Sequence, residues 1–163
     1  MKKVLVIALL SAFAATSAHA EGMSIGAAYG LGFGNLEVHG DMDISKLADN
    51  NPVKARVGYN RYSTDFGAGN FGYTWSYNIF YGGAYYDFNQ VLKLDSKIHP
   101  FAGLGFGFGS TSCSGQWCGF ASSTTAGGLY YIGGAQYDIT PQIQAEVGYS
   151  GWSGIQLGAN FKF

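Results

Sequence analysis

The chain's clearest potential for chemistry sits at Glu37, His39 and Asp41. They alternate within Leu36–Ile44, so a strand would carry all three on one face. An imidazole beside carboxylates can move a proton near neutrality, because the histidine titrates there and a carboxylate orients it. Acid–base work also needs a partner in the reaction. No motif places a nucleophile with this group, and no G-x-S-x-G occurs. His99 is the other histidine beyond residue 20 and also falls on a face shared with glycines. Both read as interior histidines with satisfied partners rather than as bases. Gly103-Leu104-Gly105-Phe106-Gly107 has the glycines of a phosphate loop. It lacks the strand–turn–helix setting and the following Lys-Ser/Thr that such a loop requires. These residues imply no cofactor and no enzymatic activity.

Cys113 and Cys118 are the only cysteines. Their spacing is not that of a redox C-x-x-C, and their loop offers no further metal ligands. In an exported protein such a pair forms a disulfide. Trp117 would then stand on a stapled hairpin as a candidate surface contact. The alternative is that the bridge only stiffens the loop.

Charged residues form a second set. Glu37, His39, Asp41 and Asp43 share the less apolar face of one strand, and Lys54, Arg56, Lys97, Glu146 and Lys162 occupy equivalent positions on others. Charges removed from water must pair or stay hydrated. An ion-pair network is expected between the second and third strands and the last two. Separate hydrated charges near the rims are the alternative.

The elements that must position these residues begin after a leader. Lys2 and Lys3 precede the apolar run Val4–Ala15, and Ala18-His19-Ala20 has the small-residue pattern of a cleavage site. Residues 1–20 read as a cleaved signal peptide and 21–163 as one domain. Loss of Lys2 and Lys3 shifts the net charge from −1 to −3. No basic patch remains, which argues against nucleic acid as a partner. Charged residues make up 12% of the chain, aromatic residues 17%, and there are 26 glycines. No run of eighteen apolar residues follows the leader, so no spanning helix is expected.

Period-two alternation recurs instead. It marks strands over Met23–Phe33, Leu36–Ile44, Val53–Asn60, Phe71–Tyr85, Ile98–Gly109, Thr124–Ile139, Gln142–Tyr149 and Gly154–Phe163. Gly34-Asn35 is a turn signal, and Thr64–Asn70 and Thr111–Ser123 read as loops. Within 34–75 the alternative makes 34–52 one long loop with two strands in 53–75. Eight strands form an even set of antiparallel hairpins. A soluble sandwich would carry Lys, Glu, Thr and Ser on its polar face. Here those positions are mostly Gly, Ala, Ser and Asn, as in a narrow closed barrel. Tyr59, Tyr73, Trp75, Tyr85, Tyr137, Tyr149, Phe161 and Phe163 are expected in aromatic girdles at the lipid boundary. The predicted fold is an all-β, eight-stranded antiparallel up-and-down transmembrane β-barrel.

Gly-Gly-Ala-Tyr-Tyr-Asp-Phe at 82–88, Pro-Phe-Ala-Gly-Leu-Gly-Phe-Gly at 100–107 and the terminal Phe163 extend this pattern. With the leader and the strands, they resemble the small outer-membrane barrels of the OmpA/OmpX and opacity-porin type. The resemblance covers essentially the whole of 21–163. It implies the outer membrane as location, with outer-membrane lipid and lipopolysaccharide as surroundings. It further implies a monomer whose Phe161 and Phe163 act as the signal read by the barrel-assembly machinery. Lys46–Pro52, Asn89–Ser96 and Thr140–Pro141 would be periplasmic, and 111–123 extracellular. The implied role is non-enzymatic, in envelope structure or surface interaction. A narrow pore is the alternative, and a lipid-modifying enzyme a more distant one.

Overall fold

The computed structural model describes residues 22–32, 34–67, 72–115, 118 and 125–163. The expected signal peptide and Trp117 lie outside them, as do Phe33 and Phe71. Eight strands run β1 Met23–Gly30, β2 Asn35–Asp43, β3 Val53–Phe66, β4 Tyr73–Asp87, β5 Ile98–Gly115, β6 Thr125–Asp138, β7 Ile143–Ser150 and β8 Gly154–Lys162. Each pairs antiparallel with its neighbours in sequence, and β8 pairs with β1 to close the barrel. In that seam Ile25 lies opposite Phe161 and Tyr29 opposite Leu157. Where all eight strands pair, closure leaves no strand edge, which a hydrocarbon environment requires because unpaired backbone groups find no water there.

The start of β1, the end of β8 and three short connections lie at one end, here the turn end. A 3-10 turn, Ser45–Leu47, and a one-turn helix α1, Asn89–Leu92, make two of these connections. Asp49, Asn50 and Lys93 adopt left-handed φ values of 51°, 61° and 52° to reverse the chain there. The opposite, loop end is uneven. β2 stops pairing with β3 at Leu36–Arg61, whereas β3 and β4 pair on to Phe66–Tyr73 and β4 and β5 to Tyr73–Gly115. Sheet therefore extends into both of the loops expected at Thr64–Asn70 and Thr111–Ser123. Long aromatic side chains facing one another across β3 and β4 hold it together. Tyr62 stacks on Tyr77 with ring centroids 4.4 Å apart, and Phe66 on Tyr73 at 5.2 Å.

Alternation sorts the side chains. Leu36, Val57, Phe80, Leu104, Leu129 and Leu157 point outward and are at least half exposed. The interior has two halves. β4, β5 and β6 contribute an aromatic cluster of Tyr81, Tyr85, Phe101, Tyr130 and Ile132, with Trp152 packed against it. β2, β3, β7 and β8 contribute buried polar groups, among them Glu37, His39, Asp41, Arg56, Glu146 and Asn160.

The aromatic half corrects one expectation. Tyr73, Trp75 and Tyr85 share the inward face of β4 with Tyr81, and Phe80 points to the outside. These three are not girdle residues. The cause is the interior they meet, where Tyr81 and Tyr85 donate hydroxyl hydrogen bonds to carboxylates across the lumen. Their bulk also dictates glycine nearby. A methyl at Gly58 would collide with the Tyr81 ring, and one at Gly107 with Trp152. Tyr137, Tyr149, Phe161 and Phe163 do point outward.

Candidate functional site

The interior is built around Arg56. Alternation on β3 turns it inward between Lys54 and Gly58, and β2 brings Asp41 directly opposite it. Its Nε donates to Asp41 Oδ1 at 2.7 Å and Nη2 to Asp41 Oδ2 at 2.9 Å. Nη1 and Nη2 also donate to Glu146 on β7, at 2.9 and 2.8 Å. One planar guanidinium thus bridges two carboxylates from opposite walls with forked geometry that a lysine could not match. Arg56 is 2% exposed, and its guanidinium carbon lies 5.1 Å from the Tyr85 ring centre and 5.6 Å from that of Phe101. Both rings supply a cation–π surface at this spacing.

Neutral donors surround the carboxylates. Glu146 accepts from Gln136 at 2.8 Å and from Asn160 at 3.0 Å, and Asp41 from the Tyr85 hydroxyl at 3.0 Å. Glu37 accepts from Tyr81 at 2.6 Å, Gln156 at 2.7 Å and Asn60 at 3.2 Å. Asn160 spends its amide nitrogen on Glu146 and Gln144, so its Oδ1 receives His39 Nε2 at 2.8 Å. His39 Nδ1 lies 3.3 Å from Glu37 Oε1. The histidine beside the carboxylate therefore exists, but it is packed within a filled lumen and 2% exposed. Among the described residues no group of three or more His, Cys, Asp or Glu side chains is placed to hold a metal ion.

These contacts bring together Glu37, His39, Asp41, Arg56 and Glu146. Asp43, Lys54 and Lys162 stand apart at the turn end. Asp43 is exposed and accepts from the Ser45 backbone N–H at 2.8 Å. Lys54 lies across from Asp43 on β3, its Nζ 6.0 Å from the Tyr85 ring centre. Lys162 pairs with Asp138 at 2.8 Å. Lys97 is exposed in the turn before β5 rather than inside. Asp138 also approaches His99 Nε2 at 3.5 Å, and His99 Nδ1 lies 2.8 Å from Asp87. Sequence reasoning passed over Asp87, Asp138, Tyr81 and Tyr85 as partners. The signal was Asp87: it shares parity with Tyr81 and Tyr85, and a carboxylate marks that face as the one turned from lipid.

No protein-family model matches the sequence, and no curated protein matches it. Solved structures do match by shape. Neisserial surface protein A aligns at TM-score 0.59 with 20% identity, over 86% of this chain and 93% of that one. Ail, the attachment invasion locus protein of Yersinia pestis, in complex with the heparin analogue sucrose octasulfate, aligns at 0.54 with 15% identity over 87% and 94%. The N-terminal β-barrel domain of Pseudomonas aeruginosa OprF aligns at 0.53 with 13% identity over 86% and 95%. The fold is that of the small outer-membrane β-barrels.

In such a barrel the lipid-facing surface should be apolar only across the bilayer, and the outward face marks that limit. Tyr59, Phe80 and Phe108 form the last apolar layer toward the loop end across β3, β4 and β5. The next outward layers are Arg61–Asn78–Ser110, Ser63–Ser76–Ser112 and Asp65–Thr74–Ser114. They are knitted by side-chain hydrogen bonds: Thr74 donates to Asp65 at 2.7 Å, and Ser63 and Ser76 lie 3.0 Å apart. The inward face of the same layers is aromatic. The outer face is thus polar here, whereas in the barrel below it is apolar. Cys113, opposite Trp75 on this inner face, forms the disulfide with Cys118, and their Cα atoms are 5.5 Å apart. Trp152 lies below, its ring centre 5.9 Å from that of Tyr130.

Proposed function

We propose that the chain is a monomeric, non-enzymatic outer-membrane barrel that conducts no solute and interacts with its surroundings through the sheet raised at its loop end. The observation that carries this reading is the filled lumen: Arg56 bridges Asp41 and Glu146 from opposite walls, and the rings of Tyr81, Tyr85 and Phe101 occupy the other half. An eight-stranded barrel leaves only side-chain-sized space, and here that space is taken. The polar outer face of β3–β5 beyond Phe80 supports placing the loop end outside the cell, in water above the lipid. The apolar belt would contact outer-membrane lipid, with lipopolysaccharide at the loop-end boundary. Phe161 and Phe163 would serve the assembly machinery during insertion.

Conductance of the refolded protein in planar bilayers tests this reading. The expected result is silence at all voltages the bilayer tolerates. Steady unitary openings would overturn it in favour of a narrow pore. Folding is checked in the same preparation by the mobility difference between boiled and unboiled samples.

A further inference from the structure

Three carboxylates stand in the polar half of the interior, Glu37, Asp41 and Glu146, and one guanidinium, Arg56, faces them. The other Lys and Arg residues beyond residue 21 lie elsewhere. Lys46, Lys93 and Lys97 are exposed in turns, and Arg61 is exposed beside Leu36 on the outer face. Lys54 and Lys162 stand at the turn end, the first across from Asp43 and the second paired with Asp138. Asp41 and Glu146 share Arg56. Glu37 is left with neutral donors, Tyr81, Gln156 and Asn60. His39 Nδ1 lies 3.3 Å from it without hydrogen-bonding geometry. Even a protonated His39 would leave this half of the interior with one negative charge in excess. A buried charge with no counter-charge is costly.

The atoms around Glu37 supply what a counter-ion needs. Gln156 and Asn60 each donate an amide N–H to Glu37 Oε2, at 2.7 and 3.2 Å. A flip of either amide would set its oxygen against the carboxylate, so both oxygens are turned away from it. Neither Gln156 Oε1 nor Asn60 Oδ1 has a hydrogen-bond partner among the described residues, and neither atom of the Asn35 amide has one. All three residues are 2% exposed or less. They adjoin one another. Gly30 lies opposite Asn35 on one side and Gln156 on the other. It brings no side chain, and Asn35 Oδ1 and the Ser153 carbonyl oxygen crowd the point where a Cβ would stand. Ser153 Oγ accepts from Asn60 at 2.5 Å, which joins Asn60 to the same group. Buried polar atoms are paired as a rule, and a cluster of unanswered acceptors marks a water or an ion.

We infer that the amide oxygens of Asn35, Asn60 and Gln156 hold a monovalent cation beside Glu37, beneath the turns that follow β1 and β7. Charge chooses the ion over a water, because only an ion offsets Glu37. Hard cations take carboxylate and amide oxygens, and calcium sites gather more ligands and more negative charge than one carboxylate among neutral oxygens. A water kept on the ion accepts from Asn35 Nδ2. The ion ties β2, β3 and β8 together where β2 ends its pairing with β3 at Leu36–Arg61. It thereby holds the short wall of the barrel at the loop end.

Urea unfolding of the full protein in an uncharged detergent tests the inference. Chloride salts of sodium, potassium, choline and calcium are compared at equal ionic strength. Sodium or potassium should raise the unfolding midpoint saturably above that in choline, as a ligand bound only by the folded state does. The apparent ion affinity should fall tenfold or more in Asn35→Leu and Gln156→Leu, and stay unchanged in Lys162→Gln at the turn end. Glu37→Gln keeps the shape, deletes the charge and should abolish the ion effect. Should these variants not fold, crystals of the unaltered protein grown with thallium(I) acetate give a second measurement. An anomalous peak is expected among the three amide oxygens. Equal midpoints in sodium, potassium and choline would overturn the inference and leave a neutral water as the ligand. So would a response to calcium alone, an ion response undiminished in Asn35→Leu and Gln156→Leu, or the absence of a thallium peak beside Glu37.

Discussion

Arg56 on β3 and Glu146 on β7 meet inside the barrel through two N–H···O bonds of 2.9 and 2.8 Å, although they are 90 residues apart in the chain. A contact between opposite walls does what neighbouring strands cannot do alone. It fixes the barrel's cross-section and blocks the lumen at the same point.

Removing that contact should therefore be costly. Glu146→Leu leaves a buried guanidinium with Asp41 as its one remaining carboxylate, and takes an acceptor from the amides of Gln136 and Asn160. Breaking a buried pair by deleting one partner costs about 3–5 kcal/mol. Lys162→Gln removes the partner of Asp138 at the partly exposed rim, where such pairs are worth about 1 kcal/mol or less. Urea unfolding in detergent or lipid should show a large loss of stability for Glu146→Leu and a small one for Lys162→Gln. Equal effects would mean that the interior network does not hold the walls together.

The phase of β4 gives a second test. Phe80 faces lipid and Tyr81 the lumen. A cysteine at 80 should react readily with a membrane-partitioning maleimide, and one at 81 should resist it in the folded protein. Tyr81→Phe keeps the ring but deletes one of three donors to Glu37, costing about 1.5–3 kcal/mol, as for a hydrogen bond to a charged group. The opposite labelling pattern would restore Tyr73, Trp75 and Tyr85 to the girdle.

Why β2 was legible and β4 was not follows from the residues themselves. Leu36, Val38 and Met42 alternate with Glu37, His39, Asp41 and Asp43, and charge against aliphatic decides which face meets lipid. In β4 tyrosines occur at both parities: Tyr81 and Tyr85 on one, Tyr86 beside Phe80 on the other. A tyrosine suits either a lipid boundary or a hydrogen-bonded interior, so its type does not choose. What chooses is Asp41 and Glu37, two strands away; within β4 only Asp87, at its last position and on the parity of Tyr81 and Tyr85, marks the inward face. The same holds for the outer sheet. Thr64–Phe66 and Thr111–Gly115 look loop-like alone, and they become strand through the β4 residues that pair with both.

Glycine placement makes a third prediction. Gly58 has space for no side chain because the Tyr81 ring fills it. Gly58→Val should displace that ring from Glu37 and cost about 1–3 kcal/mol or more through overpacking. The double variant Gly58→Val with Tyr81→Ala should recover part of the loss. Pairwise coupling of that sign, read by urea unfolding, would tie the glycine to the ring; strict additivity would separate them.

Phe163 tests assembly separately from stability. In the folded barrel its backbone N–H donates to Met23 O at 2.9 Å, and its ring lies 5.3 Å from that of Phe161 on the lipid side. Deleting it removes one closing hydrogen bond, worth about 1 kcal/mol net, and one partly exposed ring. Refolding into detergent should therefore be only mildly impaired. If Phe161 and Phe163 form the assembly signal, the level of the deletion variant in the outer membrane of expressing cells should fall far more than that small loss predicts. Phe163→Trp, which keeps a terminal aromatic, should restore it. Normal outer-membrane levels of the deletion variant would remove the signalling role, and an equally severe defect in detergent refolding would assign the loss to stability instead.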